Sequence, residues 1–564
     1  MKKYVYLFLI ALSTISLSQV TEEWVRRYNG PANNSDEASS LAIDISGSVY
    51  VTGVSYSSTS DYDYCTIKYN SLGVQQWAQR YNGTGNYSDA ATAIAVDNSG
   101  NVYVTGQSVG SGTDFDYCTV KYNSSGIQQW TRRYNGPGNY TDAAKSISID
   151  NSGNVCVTGS SQGSGTSYDY CTIKYNSSGV QQWVQRYDGP VNGIDYAYSI
   201  AADNSGNVYV TGMSLGSGTD FDYCTVKYNS SGIQQWARRY NGPGNSTDGA
   251  FSIAVDDLGN VYVTGQCNGS GTGYDYCTIK YNLSGVQQWV ERYNGPGNYT
   301  DVANSIALDN SANVYVTGKS QGSGTGFDYC TIKYSSLGVP QWIRRYNGTG
   351  NGIDYAYAVA VDNGMNVYVT GQSYDNVSYN DYCTVKYNPS GVQQWVQRYN
   401  GPEQSNDQAN CIAVDNSQNV YVTGTSYGGS TMNDYASIKY SQNIGIKRIS
   451  SEIPEEYELS QNYPNPFNPS TKIKFYIPLS PLSEMSTTRL VEGVGGFVIL
   501  KIYDLLGREV ATLVNEQLQP GTYEVEFDGT NFPSGLYFYK LTARNVWSAT
   551  DGSLNMTKKM VLLK

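Results

Sequence analysis

Carboxylates recur at fixed spacing in this chain, and they are the side chains best able to do chemistry. Three Asp positions are filled in each of eight units of 53 residues, and one unit holds them as Asp89, Asp97 and Asp116. Paired carboxylates can cleave glycosides when unlike environments separate their pKa values. Each of these Asp residues has seven near-equivalent copies, however. The pattern therefore favours turn capping and ion pairing between units, with invariant basic positions such as Arg133 and Lys121, over catalysis.

Histidine is absent from the whole sequence. Its absence removes Ser-His-Asp and Cys-His nucleophile systems and His-ligated metal sites. Glu is scarce in the repeats, and the constant spacing shows no enlarged loop in any one unit. We therefore predict that the chain is not an enzyme. The Glu residues of the repeat region are Glu22, Glu23, Glu37, Glu291 and Glu403.

Closely spaced Asp pairs are the one signal for a metal ion. Such Asp-x-Asp pairs could hold Ca²⁺, but the full loop signature of a calcium site is missing. We therefore predict no metal site and no cofactor, with Ca²⁺ kept as a possibility at these pairs. They are Asp61-x-Asp63, Asp114-x-Asp116 and Asp220-x-Asp222.

Seven of the ten cysteines stand at one position of the repeat, where the eighth copy has Ala436. Stacked sheets lie about 10 Å apart, which is beyond the Cα separation of about 7 Å that a disulfide tolerates. A position that accepts both Cys and Ala suits a small buried side chain. We predict that these cysteines are structural. They are Cys65, Cys118, Cys171, Cys224, Cys277, Cys330 and Cys383.

A run of regularly spaced tryptophans defines the elements that position these groups. Each unit reads as four short strands, with tight turns at 98–100 and 123–126 and longer loops at 107–114 and 135–142. Short turns and no helix predict an antiparallel meander. The tryptophans recur 53 residues apart and are Trp24, Trp77, Trp130, Trp183, Trp236, Trp289, Trp342 and Trp395.

The ends of the array distinguish a closed propeller from an open solenoid. The first Trp strand, 22–30, has no preceding strands, and the last unit has three strands without a Trp strand. A swap of the N-terminal strand into the last sheet completes eight sheets and protects their edges. The fold class predicted for residues 20–441 is an all-β, eight-bladed β-propeller closed by an N-terminal strand.

The repeat motif at residues 94–106, IAVDNSGNVYVTG, resembles the SBBP-type bacterial β-propeller repeat. The resemblance covers residues 20–441 and implies a propeller without an established activity. The family name implies seven blades, whereas this chain counts eight.

Alternate loops of a meander share one face, so the two long loops of each unit should lie together. We call this predicted surface the long-loop face. Its aromatic rings beside Asp and Asn acceptors would suit sugar rings or a cationic peptide, and the same rings could equally be packing. The candidate ligand-binding residues are Tyr62, Tyr87, Phe115, Tyr140, Tyr168, Phe221, Tyr274, Tyr299, Phe327, Asp89, Asp142 and Asp301.

The two ends of the chain predict its export. Residues 1–18 have the basic start, apolar run and small residues of a secretory signal peptide. Residues 442–458 read as a polar linker, and 459–564 read as a small Ig-like β-sandwich. An insertion at about 479–497 interrupts this last domain.

The motifs of residues 459–564 closely resemble the C-terminal sorting domain of the type IX secretion system. That family implies export across the outer membrane, with the secretion machinery as partner. The matching segments are 462–470, 502–510, 521–523, 533–539 and 558–564.

Charge and hydropathy narrow the function classes. A net charge of −12 argues against nucleic acid or anionic lipid as a partner, and no segment after the signal peptide could span a bilayer. We predict a secreted or outer-membrane-associated surface propeller that binds a polysaccharide or surface protein on its long-loop face. The alternatives are a structural coat protein without a discrete ligand and, third, a carbohydrate-active enzyme.

Overall fold

The computed structural model of the protein describes residues 20–442, 447–450, 452–478, 496–529, 532–544 and 553–564. The predicted signal peptide and nearly all of the predicted insertion lie outside these residues. The chain divides into two compact units, of which one is Glu22–Tyr440 and the other contains Ser441–Lys564.

Short β-strands make up nearly all of the regular structure in the first unit. A single 3-10 turn, Gly429–Thr431, lies between its last two strands. In chain order the first sixteen strands are β1 (Val20–Tyr28), β2 (Asp36–Ile43), β3 (Val49–Ser57), β4 (Asp61–Tyr69), β5 (Gln75–Tyr81), β6 (Asp89–Val96), β7 (Val102–Val109), β8 (Phe115–Tyr122), β9 (Gln128–Tyr134), β10 (Asp142–Ile149), β11 (Val155–Gln162), β12 (Tyr168–Tyr175), β13 (Gln181–Tyr187), β14 (Asp195–Ala202), β15 (Val208–Leu215) and β16 (Phe221–Tyr228). The next sixteen are β17 (Gln234–Tyr240), β18 (Gly249–Val255), β19 (Val261–Gly269), β20 (Gly273–Tyr281), β21 (Gln287–Tyr293), β22 (Asp301–Leu308), β23 (Val314–Gln321), β24 (Phe327–Tyr334), β25 (Pro340–Tyr346), β26 (Asp354–Val361), β27 (Val367–Asp375), β28 (Tyr379–Tyr387), β29 (Gln393–Tyr399), β30 (Asp407–Val414), β31 (Val420–Tyr427) and β32 (Asn433–Gln442).

These strands form four-stranded antiparallel sheets, which have the character of propeller blades. Seven of the sheets hold four consecutive strands each, from β2–β5 to β26–β29, and an eighth has the order β1-β32-β31-β30. We number the sheets one to eight in that order. The four predicted strands of a unit are confirmed, but two are longer than predicted. The first begins at Asp89, and the second runs to Val109, three residues into the loop predicted at 107–114.

Apolar alternation and glycine turns produce each sheet. In sheet two, Val102 and Val104 are completely buried on β7. The tight turn before β7 is closed by the Gly100 N–H, which donates to the Asp97 carbonyl at 2.9 Å. Gly100 has a φ of +74°, a left-handed conformation that favours glycine. A β-bulge in β6 lies between Ala91 and Ala93, so the residue between them stands out of register.

The tryptophans pack between neighbouring sheets. Trp130 of sheet two is 8% exposed, and its ring centroid lies 6.1 Å from that of Tyr175 in sheet three. Its indole N–H donates to the Ser177 carbonyl of sheet three at 3.2 Å. A second bond joins the same sheets, because the buried Tyr117 hydroxyl donates to the Cys171 carbonyl at 3.0 Å. Each unit therefore buries its apolar face only by stacking on the next unit.

All ten cysteines carry free thiols, and nine of them are buried. Burial raises the pKa of the Cys118 and Cys171 thiols to about 12, which keeps them in the unreactive protonated form. Ala436, which replaces the cysteine in sheet eight, is also completely buried. The prediction of a small buried structural side chain at this position is confirmed.

Two four-stranded antiparallel sheets share one apolar core in the second unit. Phe475 and Val525 from one sheet meet Leu500 and Tyr539 from the other. The sheets have the orders β33-β38-β35-β34 and β37-β36-β39-β40. Their strands are β33 (Lys447–Ser450), β34 (Glu458–Leu459), β35 (Ser470–Ile477), β36 (Gly496–Tyr503), β37 (Glu509–Leu518), β38 (Gly521–Asp528), β39 (Gly535–Arg544) and β40 (Ser553–Leu562).

Strand β33 lies within residues 442–458, for which the sequence predicts a polar linker. It pairs with β38 in an antiparallel register that matches Arg448 with Tyr523. The Arg448 guanidinium also donates to the Pro520 carbonyl at 2.5 Å. Part of the 442–458 segment therefore belongs to the second unit.

Candidate functional site

The two long loops of each unit lie side by side, as the alternation of a meander predicts. At sheet two the Gly85 N–H donates to the Val109 carbonyl at 3.1 Å, and the Ser111 N–H donates to the Thr84 hydroxyl at 3.3 Å. The loop from the preceding sheet joins them through Asn86, whose side-chain amide donates to the Thr59 carbonyl at 3.0 Å. The long-loop face is therefore a continuous, hydrogen-bonded surface at this point.

The invariant Asp at the start of each first strand is completely buried. In sheet two, Asp89 accepts the Gly83 N–H at 2.5 Å on one oxygen and the Val109 N–H at 3.0 Å on the other. Burial raises the pKa of Asp89, and also that of the equivalent Asp142 and Asp301. These three candidate site residues therefore hold the loops together and present no carboxylate to solvent.

The invariant Arg and the Asp of the third strand pair within one sheet. Arg133 Nη2 lies 2.8 Å from Asp116 Oδ2, and both residues belong to sheet two. The Thr113 hydroxyl donates to the same carboxylate oxygen at 2.9 Å. The pairing expected between units is therefore wrong for this Arg, since neighbouring strands β8 and β9 bring the two charges together.

The third invariant Asp caps the tight turn on the opposite face. Burial alone would raise the pKa of Asp97, but hydrogen bonds outweigh it and hold the pKa below its usual value. The donors are the N–H groups of Ser99 and Asn101, each at 2.9 Å, and the Tyr103 hydroxyl at 3.0 Å. The turn-capping prediction is confirmed for this carboxylate.

Three of the candidate tyrosines stand well clear of the surface. Tyr87, Tyr140 and Tyr299 are 63%, 56% and 70% exposed. Rings with this exposure can stack on a ligand without rearrangement of the loops. The other six candidate aromatic residues are half-buried at the start of the third strands, and they are Tyr62, Phe115, Tyr168, Phe221, Tyr274 and Phe327.

A groove opens between sheets one and two, and we call it the first groove. Its volume is about 290 Å³. Two candidate aromatic side chains form part of its wall, and Glu37 is an exposed acid beside them. The lining residues are Glu37, Val54, Tyr62, Ser88, Asp89, Ala90, Gln107 and Phe115.

Two other junctions fill the equivalent groove with a tyrosine ring, whereas Ala143 and Gly249 keep the Ala90 position small in their units. Tyr196 replaces Ala90 between sheets three and four, where its ring centroid lies 5.8 Å from Tyr168 and 6.5 Å from Phe221. Between sheets six and seven the replacement is Tyr355. The ammonium of Lys319 lies 4.5 Å from its ring centroid. This groove is not predicted from the sequence, and the variation at the Ala90 position is only a partial signal, because Ala143 and Gly249 are small as well.

One unit departs from the others in its buried polar pairing. Cys156 of sheet three stands where sister sheets have a tyrosine that bonds the turn Asp, as Tyr209 bonds Asp203 at 2.9 Å. Lys174 compensates, because its Nζ lies 2.8 Å from Asp150 Oδ2. Both side chains of this ion pair are almost completely buried.

The Asp-x-Asp pairs do not form a carboxylate cage. In the pair at 114 and 116, the Asp114 side chain is exposed, and Asp116 is already paired with Arg133. Among the residues that the structure describes, a different group of carboxylates could share a cation, namely Asp169, Asp188 and Asp195.

Comparisons with known families agree with both units. The family model described as a β-propeller repeat, SBBP, matches residues 23–58, 76–113, 182–221, 235–271, 288–324 and 394–430. The model described as a secretion system C-terminal sorting domain matches residues 461–560. The chain is an SBBP β-propeller repeat protein that carries a type IX sorting domain. This SBBP protein is therefore secreted or held at the cell surface in association with the outer membrane, and its sorting domain implies an interaction with the type IX secretion machinery. Among its described residues, no helix has the length and apolar character that a membrane crossing needs.

Individual proteins are similar to the SBBP protein at a lower level. An uncharacterized WD repeat-containing protein of Acanthamoeba polyphaga mimivirus is 24% identical over 465 residues, which are 66% of this chain and 32% of that protein. The chain thus spans about a third of that relative.

Solved structures show the same kind of distant likeness. PorZ, a surface component of the type IX secretion system of Porphyromonas gingivalis, is 12% identical with a TM-score of 0.35, over 93% of this chain and 74% of that chain. A fungal alcohol oxidase is 13% identical with a TM-score of 0.37, over 83% of this chain and 96% of that chain.

Proposed function

We propose that the eight sheets are the blades of a closed eight-bladed β-propeller. The bonds between sheets eight and one support closure, because they match those between sheets one and two. The Trp24 indole N–H donates to the Ser71 carbonyl of sheet one at 3.3 Å, and the Tyr435 hydroxyl donates to the Cys65 carbonyl at 3.1 Å. Asn410 also donates to the Ala38 carbonyl at 2.8 Å.

We also propose that the second unit is an Ig-like sandwich. Its two sheets share one core, and two tyrosine hydroxyls donate to carbonyls four residues upstream. Tyr537 bonds Pro533 and Tyr523 bonds Gln519, each at 2.8 Å. A tyrosine bonded back to the nearby backbone is a recurrent feature of Ig-like domains.

We infer that the propeller is a recognition module that binds a polysaccharide or surface protein on its long-loop face. The observation that carries this inference is the first groove, which stays open, whereas Tyr196 and Tyr355 fill two of its counterparts. Aromatic walls beside a few polar groups are the usual composition of a ligand pocket. The exposed Tyr87 extends the same aromatic surface on the adjoining loop.

The engagement of the invariant carboxylates supports a non-catalytic role. The buried Asp of the Asp89 position accepts backbone N–H groups, the Asp of the Asp116 position pairs with Arg, and the Asp of the Asp97 position caps a turn. A general acid or base must instead reach the substrate from within the cleft. Histidine is absent, and of the two acidic residues that line the first groove Asp89 is completely buried, which leaves Glu37 as the one exposed carboxylate there.

Binding to a glycan array and to immobilised surface proteins tests this function. In an Ala90→Tyr variant the groove should be filled as it is in sheet four, so we expect saturable binding to fall at least tenfold with no change in thermal stability. The triple variant Tyr87→Ser, Tyr140→Ser, Tyr299→Ser tests the exposed rings. Ile127→Ser is the matched control, because Ile127 is 63% exposed on the opposite face. The absence of any saturable ligand would favour a structural coat protein instead.

A further inference from the structure

A single substitution sets one junction between sheets apart from the other seven. Asp188, which follows β13, stands where every sister unit has Asn. In six of those units the Asn side chain donates to another Asn four residues on, as Asn135 does to Asn139 at 2.6 Å. A carboxylate cannot donate that bond. The equivalent residues are Asn29, Asn82, Asn135, Asn241, Asn294, Asn347 and Asn400.

Asp188 brings a third carboxylate to a junction that already holds two. One oxygen each of Asp169, Asp188 and Asp195 lies within 4.8 Å of one oxygen of each of the others. Asp169 is 3% exposed and Asp195 is completely buried, whereas Asp188 is half-buried beneath the loop. The three side chains come from β12, from the end of β13 and from β14, so they join sheet three to sheet four.

Each of the three carboxylates has an oxygen without a donor. Within the described part of the chain, Oδ1 of Asp169, Asp188 and Asp195 is buried and accepts no hydrogen bond of ordinary geometry. Asp169 shares this feature with equivalents such as Asp116 and Asp222, so only Asp188 and Asp195 set this junction apart from most others. Asp195, like Asp36, differs from the other first-strand Asp residues, and here the Leu215 N–H donates to the Ile194 carbonyl at 3.1 Å instead. The corresponding amide in sheet two donates to Asp89. Buried acceptors of this kind require a partner.

The local charge balance points to a divalent cation. Arg186 is the cationic side chain paired with this cluster, and its Nη2 lies 2.7 Å from Asp169 Oδ2. Three carboxylates and one guanidinium leave two negative charges, whereas a sister junction with Asn keeps one. Carboxylate oxygens without nitrogen or sulfur donors are the ligands that Ca²⁺ prefers, with water completing its shell.

We propose that Asp169, Asp188 and Asp195 bind one Ca²⁺ ion between sheets three and four. The ion takes the Oδ1 positions that lack donors and balances the carboxylate that Asp188 adds. It also fastens the 188–194 loop, whose end leads directly into Tyr196 and its aromatic cluster. This site is distinct from the Asp-x-Asp pairs and does not depend on ligand recognition in the first groove.

Calorimetric titration of the chelator-treated full chain with Ca²⁺ tests the proposal. We expect one site per chain and a higher midpoint of thermal unfolding in Ca²⁺ than in chelator. Asp188→Asn restores the residue that seven sister units carry, so the variant should fold normally and lose Ca²⁺ affinity by about tenfold or more.

Asp220→Asn is the matched control, because Asp220 is an exposed acid on the same face and belongs to an Asp-x-Asp pair. This variant should bind Ca²⁺ as the natural chain does. The proposal is overturned if the natural chain binds no Ca²⁺, if Asp188→Asn binds it equally well, or if Mg²⁺ binds more tightly than Ca²⁺.

Discussion

Removal of one tryptophan measures whether the propeller is closed. Trp24 lies on β1, which has no sheet of its own in the sequence and pairs with β32. Its ring centroid lies 6.1 Å from Tyr69 and 6.4 Å from Tyr421, and it is 6% exposed. Replacement of a buried Trp by Ala costs about 3–5 kcal/mol through lost burial and the cavity left behind. We expect Trp24→Ala to lower the free energy of unfolding by that amount.

Trp236 is a matched control within the array. It is also 6% exposed, with ring centroids 6.2 Å from Tyr209 and 6.1 Å from Tyr281. Its indole N–H donates to the Leu283 carbonyl at 3.2 Å, as Trp24 bonds its neighbouring sheet. Trp236→Ala should therefore cost the same as Trp24→Ala to within about 1 kcal/mol.

Urea unfolding of the full chain, followed by far-ultraviolet circular dichroism, compares the two variants. Similar losses indicate that β1 is bound as firmly as an internal fourth strand. A large loss for Trp236→Ala with an unchanged transition for Trp24→Ala would refute closure. Hydrogen exchange at residues 20–28 gives a second readout, since bound strand amides should be protected as well as those of 234–240.

Three further changes test the packing and electrostatics of the repeats. A Cβ at Gly106 would lie 2.0 Å from a backbone carbonyl oxygen, so Gly106→Ala should cost about 3 kcal/mol or more in urea unfolding. Gly112→Ala meets open space and should cost only about 1–2 kcal/mol for its left-handed φ. Burial raises the pKa of Asp248 to about 6, so the folded state holds this proton more tightly than the unfolded state. Stability should therefore fall as pH rises from about 4 to 6, and Asp248→Asn should remove that part of the pH dependence; an identical pH profile in the variant would contradict the assignment. Lys174→Met leaves the buried Asp150 carboxylate without its cation and should lower the free energy of unfolding by about 3 kcal/mol or more. Lys227→Met should cost only about 1 kcal/mol, because the nearby Asp203 keeps its bond from Tyr209. Equal losses in the two variants would argue against the compensation by Lys174 in sheet three.

The sequence predicts the strands well because the same alternation of apolar residues and the same turn residues occur in all eight units. The alternation around Val102 and Val104 and the tight turn at Gly100 define one hairpin by themselves. The same pattern says little about where polar side chains point. The pattern predicts Asp89 on the long-loop face beside aromatic residues, yet its side chain is buried because two backbone N–H groups of the loops donate to it. The spacing of residues in the repeat does not predict which backbone N–H groups of a loop turn inward and require a buried acceptor.

The candidate site was only partly predictable, because it depends on differences between copies. The exposed Tyr87, Tyr140 and Tyr299 follow from their loop positions. The first groove depends instead on the packing of sheets one and two around a small Ala90, which only two other copies replace by a large ring. Asp188 likewise differs from the Asn of sister units only by an oxygen in place of the amide NH₂. The carboxylate cluster that it completes is visible only once β12, β13 and β14 are packed together.

The ten free thiols have a consequence for the export of the chain. An exported protein passes through an oxidising compartment, where unpaired cysteines readily cross-link. Stacking places nine of these sulfurs out of reach of oxidants, so the assembled array needs no reductant to survive there. The hazard is confined to the interval before stacking. Pairing between strands that are close in sequence is fast, and this topology consequently shortens the interval during which a misplaced disulfide can trap the chain.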